Sequence, residues 1–175
     1  MGSSYAVLVA EQLFVSGCTL LLSVTSAGII NHQSKKRFAL ITTAVRDEGT
    51  SYHYLPAGIK AVLNEKLLLL LSAERANSDS PFFTGASWTT DAPYRETPSA
   101  IAAMKRENIT CVEMEAAALY ALSAVKHYNI ICFAHLTNSM AQIEGDFEKG
   151  EEFGSLDTLD LVSWLLKKLQ PANIF

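Results

Sequence analysis

The stretch "ITCVEMEAAALYALSAVKHYNIICFAHL", residues 109–136, restricts the fold more than any other part of the chain. "ITCVEM" has strand character and "AAALYALSAVKHY" reads as a helix. "IICFAHL", 130–136, is an apolar run of strand length, the pattern of a strand covered on both faces. Strand, helix and strand joined tightly predict a right-handed βαβ unit. A chain built around such a unit is α/β, with a mixed, mostly parallel central sheet flanked by helices in three layers.

The remaining pattern extends that sheet. Val7, Leu8, Leu13 and Phe14 recur at helical spacing over about 4–16, where Gly17 ends the helix. "CTLLLSVT", 18–25, and "RFALITTAV", 37–45, read as buried strands, and the ten or so residues between them are too few for a helical crossover. A helix follows over 64–77 with Asn64 as its cap, then a strand over "FFTGASWT", 82–89. Thr97 as N-cap and Pro98 in the first helical position open a helix that runs to about 107. Leu156, Leu159, Val162, Leu165, Leu166 and Leu169 mark a last helix, closed by Pro171. No repeat, linker or low-complexity segment interrupts the 175 residues, so residues 1–175 are expected to form a single domain.

Composition narrows the partners. With 49% hydrophobic and 18% charged residues the chain is expected to be compact and to cover surface with further copies of itself. A net charge of -4 and a pI near 5.5 argue against nucleic acid or anionic lipid as partner. Cys18, Cys111 and Cys132 sit in or beside apolar runs without metal or redox spacing, which suggests reduced thiols and a cytoplasmic protein. "MGSSYAVLVAEQLF" lacks a basic lead-in, carries Glu11 and is not expected to be a signal peptide. "KLLLLLSAERAN" is too short to span a membrane.

Ligands of open α/β sheets lie beyond the carboxyl ends of strands. Three polar clusters fall there and are expected to converge: "TSAG" after 24, "EMEAA" after 112 and "TNSM" after 136. If 109–115 is extended, Glu113 and Glu115 share a face and form a paired-acid site; alternatively one of them turns onto the N-terminus of the following helix. A carboxylate beside a methionine suits a sugar, whose hydroxyls donate to the acid while the thioether lies on the ring. A dicarboxylate magnesium site competes, but no third acid cluster completes it.

"VTSAGII" offers hydroxyls and backbone amides to an oxyanion, or is an ordinary turn at Gly28. Asn138 carries a donor and an acceptor for a heterocycle edge, or shapes a turn. Arg46 is a candidate anion ligand or a structural ion pair with the acids after it. Tyr94 and Arg95 suit stacking and hydrogen bonding to a base, or are surface loop residues. His32, His53, His127 and His135 share no metal-ligand spacing, and "EGDFEKGEEFG", 144–154, reads as a solvated acidic loop.

"VEMEAAALYA" followed by "HLTNSM" and preceded by "SVTSAGII" and "TTAVRDEGTSYHYLP" resembles the nucleoside phosphorylase superfamily, in its uridine phosphorylase branch, from about Gly2 to the last helix. The resemblance implies that Glu115 holds the ribose hydroxyls, Met114 packs on the sugar and Glu113 supports the same pocket. It matches Ser26 to the phosphate-binding hydroxyl and Asn138 to the catalytic position beside the base. Tyr94 and Arg95 match the base-pocket loop. The implied reaction is phosphate-dependent cleavage of the N-glycosidic bond of uridine or a 6-oxopurine nucleoside. It needs no cofactor beyond inorganic phosphate as co-substrate, and it implies a homo-oligomer, a dimer or larger.

Two departures keep other activities open. Ser23 stands where the family has an arginine, and the chain begins after the family's glycine-rich phosphate loop. A nucleosidase using water, and an inactive nucleoside-binding or assembly protein, are therefore the alternatives.

Overall fold

The computed structural model describes residues 2–31, 34–75, 79–139 and 154–169, without the side chains of 73–75 and 138–139. Among the described residues five α-helices, α1 (Ser3–Val15), α2 (Glu65–Arg75), α3 (Pro98–Arg106), α4 (Ala116–Lys126) and α5 (Ser155–Leu169), accompany six strands. The strands are β1 (Leu20–Ile29), β2 (Phe38–Asp47), β3 (Lys60–Val62), β4 (Phe82–Thr90), β5 (Cys111–Glu113) and β6 (Asn129–Ser139). Among the described residues no helix is long and apolar enough to cross a membrane.

Local signals placed most of these ends. Gly17 follows α1 at a φ of 99°, which L side chains rarely adopt. The Asn64 side chain accepts from the Lys66 amide at 2.9 Å at the head of α2. Thr97 accepts from the Ala100 amide at 3.3 Å with Pro98 behind it at the head of α3.

The strands are mixed as expected, with the long ladders β1–β6 and β2–β4 parallel, but they do not form an open layer. The order is β3-β2-β4-β5-β1-β6, and β6 returns to pair with β2, closing a barrel-like sheet. Phe38, Ala39 and Leu40 of β2 join β6, while Thr43 to Val45 on the same strand take β3 instead.

This closure overturns the βαβ prediction. β5 pairs antiparallel with β1, and β1 pairs parallel with β6, so β5 and β6 run oppositely with β1 between them. The handedness rule therefore has no parallel pair to act on. Residues 20–29 of β1 lie along the length of β6 on one edge, and on the other edge Gly28 and Ile29 pair with β5.

The turn expected at "TSAG" is also absent. Those residues continue β1 against β6, with an irregularity between Ala27 and Gly28, because partners on both sides supply ladder bonds that outweigh local turn preference.

The core lies between the barrel and α4, whose residues from Ala116 to Ser123 are all buried. The Tyr120 hydroxyl donates to the Ile41 carbonyl and accepts from the Cys132 amide, tying α4 to β2 and β6. In α5 the buried line is Leu161, Leu165 and Leu169. Leu156 and Leu159, expected in that line, are 49% and 61% exposed, so the stripe is rotated from the one predicted.

Gly85 of β4 is required by close approach: a Cβ there would stand 2.6 Å from Thr110 Oγ1 and 3.0 Å from Thr110 Cβ. Thr110 cannot retreat, since its carbonyl accepts from the Ile30 and Asn31 amides and its amide donates to Ala86. Gly85→Ala is therefore expected to cost about 1–3 kcal/mol through overpacking. The loss will appear as a lower urea midpoint at unchanged slope, and pairing it with Thr110→Ala will recover part of it.

Candidate functional site

The two acids of "VEMEAA" part at the end of β5. The strand stops at Glu113, and Glu115 has φ −131° and ψ −37° as the residue before α4. Alternation along an extended segment therefore does not apply. Glu113 turns onto the helix: one oxygen, Oε2, accepts from the Glu115 and Ala116 amides, both at 2.7 Å. Its other oxygen accepts from the Thr89 hydroxyl, which in turn accepts from the Ala117 amide at 3.0 Å.

Glu113 thus binds the open amides of the first turn of α4, where a negative charge is favoured. Burial pushes its carboxyl above the ordinary value and the Glu115 charge adds to this, while Thr89 and the two amides oppose it. Both oxygens face protein donors, so Glu113 sets the geometry of the junction. Of the two arrangements the spacing allowed, the paired-acid surface is not formed and the turn of one acid onto the start of the following helix is.

Glu115 points the other way. Its Oε1 accepts from the Gly2 amide at 2.7 Å, and its Oε2 from the Thr25 hydroxyl at 3.1 Å and the Met114 amide at 3.3 Å. The carboxylate is buried and joins three parts of the sequence: the start of α1, the middle of β1 and the β5–α4 junction. Ser3 seals the same corner by donating to the Met114 carbonyl at 2.7 Å. Met114 is half-buried beside it.

Thr25, which donates to this carboxylate, also lines a cavity of about 410 Å³ together with Val24, Ser26, His135, Ser155 and Thr158 among others; Glu115 itself is not one of the described lining residues. Ser26 and His135 are register partners across β1 and β6. Thr25 belongs to both places, since it lines the cavity and donates to Glu115. Two of the three predicted clusters therefore meet, "TSAG" and "EMEAA". From the third, Asn138 lies opposite Gly28 in the β1–β6 ladder, with its side chain outside the described residues. None of the described residues lining this cavity is Arg or Lys.

Other candidates are elsewhere. Arg46 is buried and clamps its own loop, donating to Ser51 Oγ at 2.9 Å, the Pro56 carbonyl at 2.7 Å and the Leu55 carbonyl at 3.1 Å. Its guanidinium carbon also stands 4.3 Å from the Tyr52 ring centre. This is a structural role, carried by carbonyls and not by the acids that follow it: Glu48 accepts from the Ser51 amide and Asp47 from the Trp88 indole.

Arg95 lines a separate groove with Arg46, Tyr52 and Met104, whose described lining shares no residue with the Ser26 cavity. Tyr94 is 83% exposed. The structure does not bring Tyr94 or Arg95 together with Glu115. His53 lies in a short turn, His127 ends α4 at φ 56°, and His135 is buried against Phe38 with ring centres 4.7 Å apart. His32, Pro171 and all but Gly154 of the acidic segment 144–154 lie outside the described residues.

Sequence reasoning placed Thr25 in the "TSAG" cluster without linking it to Glu115, and it missed Thr89. A threonine in a strand carries no signal of its own, and both act on residues far away in the chain. Burial pushes the Cys111 and Cys132 thiols upward, which suits inert core residues.

A sequence model of the phosphorylase superfamily matches residues 1–159. A purine nucleoside phosphorylase of Plasmodium vivax is 23% identical over 130 residues, 72% of this chain and 53% of the relative. The chain thus spans about half the length of the curated relative it matches. An AMP nucleosidase from Bacteroides thetaiotaomicron has a similar fold, with a TM-score of 0.66 at 19% identity over 93% of this chain and 70% of that one.

Proposed function

Because the chain belongs to the phosphorylase superfamily, we propose that it binds a nucleoside with its ribose diol on Glu115 and cleaves the N-glycosidic bond. The observation that carries this reading is the buried Glu115 carboxylate beside Met114, joined through Thr25 to the cavity that holds Ser26. A carboxylate already fixed by protein donors presents its acceptor oxygens to a diol without reorganisation. Glu113 acts through the backbone, holding the Glu115 and Ala116 amides and hence the position of the acid beyond them.

In the phosphorolytic form of the reaction, phosphate sits at Ser26 below the sugar. The bond from C1′ to the base nitrogen breaks with its electron pair going to the base, a phosphate oxygen bonds C1′, and the base takes up the phosphate's proton. The products are ribose 1-phosphate and free base, and no cofactor takes part. Held in line, the two reactants gain mainly from positioning. An amide at Asn138 that donates to the departing base favours uracil or a 6-oxopurine over adenine.

A second reading, hydrolysis by water, is favoured by the absence of Arg and Lys from the described lining of the cavity. A phosphate dianion there would meet hydroxyls, His135 and the start of α5, with no guanidinium among the described lining residues to balance it. The similar fold of a protein named as a nucleosidase agrees with this reading, as the phosphorylase relative agrees with the first.

The test is incubation with uridine, inosine and adenosine, with and without phosphate, followed by detection of free base. Release from uridine or inosine that requires phosphate is the expected result. Release that ignores phosphate selects the hydrolase, and preferential release from adenosine refutes the base assignment. Association into a homodimer or larger form belongs to the same proposal, and a monomer by light scattering at micromolar concentration would count against it.

A further inference from the structure

We infer that Thr25 is a positioning residue for the sugar site, its hydroxyl holding Glu115 Oε2 in the orientation a ribose diol needs. The inference rests on the nucleoside reading of Glu115 and adds to it a residue whose type carries no recognition signal of its own.

The geometry is that of a hydroxyl with one proton and two acceptors. Thr25 Oγ1 lies 3.1 Å from Glu115 Oε2 and 3.1 Å from the Ser26 carbonyl. At equal distance the ionised acceptor wins, because charge-assisted hydrogen bonds are roughly twice as strong as neutral ones. The proton therefore goes to Glu115. Oε1 is held from another direction by the Gly2 amide at 2.7 Å. Donors on both oxygens, the Gly2 amide at the start of α1 and the Thr25 hydroxyl of β1, restrain the rotation of the carboxylate about its last bond. The Met114 amide at 3.3 Å from Oε2 is the weaker support and comes from a neighbouring residue that moves with Glu115.

The position of Thr25 in the sheet explains why it can do this. β1 meets β5 antiparallel at Gly28 with Val112 and at Ile29 with Cys111. Running back along β1 from Gly28 therefore runs forward along β5, which brings Thr25 level with the β5–α4 junction. On its other side Thr25 is paired with Ala134 of β6, so its backbone is locked by the ladder. Thr25 is also a lining residue of the Ser26 cavity. It is thus the residue of β1 that both lines the cavity and donates to the carboxylate, and its hydroxyl sets the orientation of Glu115 relative to an oxygen nucleophile near Ser26.

Valine is nearly isosteric with threonine and favourable in a strand, so Thr25→Val removes the hydroxyl and keeps the fold. Binding of inosine and of 2′,3′-dideoxyinosine, which lacks the diol, is measured by calorimetry for the wild-type chain, Thr25→Val and Thr25→Ser. We expect Thr25→Val to weaken inosine by about tenfold, the size of one hydrogen bond to a charged group, to leave dideoxyinosine unchanged, and Thr25→Ser to restore the wild-type preference. A purely structural role for Thr25 would weaken both ligands together.

The ¹³C chemical shift of the Glu115 carboxyl carbon provides a ligand-free reading. It is expected to move in Thr25→Val and to return in Thr25→Ser. An unchanged ratio of inosine to dideoxyinosine affinity in Thr25→Val, with inosine bound by the wild type, overturns the inference alone. Failure of the wild-type chain to bind uridine or inosine overturns the sugar-site reading, and the inference falls with it.

Discussion

Glu113→Ala is expected to lower the stability of the fold by about 3 kcal/mol or more, whereas Glu113→Gln, which leaves one group unsatisfied, should cost about 1–3 kcal/mol. The alanine variant strands the Glu115 and Ala116 amides and the Thr89 hydroxyl in a buried place, and each unsatisfied group costs about 1–3 kcal/mol. Residues Ala116 to Ser123 of α4 are all buried, so water has no ready route to those amides. Glutamine keeps an oxygen for both amides and turns an N–H to the second lone pair of Thr89 Oγ1, which already accepts from Ala117, so that only the Thr89 hydroxyl proton loses its acceptor. Urea unfolding of the three proteins decides it. Equal midpoints for Glu113→Ala and the wild type would show that Glu113 does not hold the helix.

The same pair of variants yields a pH signature with a definite sign. Burial raises the Glu113 carboxyl in the folded protein above its unfolded value. The folded state therefore holds this proton more tightly than the unfolded one, and the stability linked to Glu113 falls as pH rises from the unfolded carboxyl value to the raised folded one. Below that window both states are protonated and the group contributes no slope. Glu113→Gln has no such proton, so the difference in stability between wild type and Glu113→Gln should drift in favour of the glutamine variant across the window. A difference independent of pH would contradict the raised carboxyl.

What could be read from the sequence was local, and what escaped it was long-range. Caps at Asn64 and Thr97, the stop at Gly17 and the strand character of 130–136 each depend on a few adjacent side chains, and those features stand in the structure. Closure of the sheet depends on Phe38–Leu40 meeting Phe133–His135, nearly a hundred residues away, a pairing that no local pattern encodes. The three residues of β3 are too few to show alternation. "TSAG" has turn composition but lies between two partner strands, and tertiary pairing overrode it.

Within the site, the acids beside Met114 were legible as unusual, and their separation was one of two readings that spacing alone did not decide between. Equal parity along a strand predicts one face only while the strand lasts, and β5 ends at Glu113. One acid is then free to bind the helix start, which leaves the other for the cavity side. Arg46 shows the converse. A buried arginine looks available for an anion until its loop carbonyls at Leu55 and Pro56 are seen to hold it.

The second large effect is expected at Glu115. Two hydroxyls of a ribose donating to a carboxylate make two charge-assisted hydrogen bonds, each worth about 1.5–3 kcal/mol. Glu115→Ala is therefore expected to weaken inosine or uridine by a factor of about 100 or more, and to cost far less for the 2′,3′-dideoxy analogues. Glu115→Gln should fall between, because one carboxylate oxygen is replaced by an amide nitrogen that donates where the diol also donates. Structural damage alone would be seen differently: loss of the acceptor for the Gly2 amide and Thr25 loosens the start of α1 against β1 and lowers affinity for every ligand alike. Measuring ribose and dideoxyribose forms on the same variant separates these effects. Equal losses for both would mean that the carboxylate braces the fold, and that the diol, if bound at all, lies elsewhere.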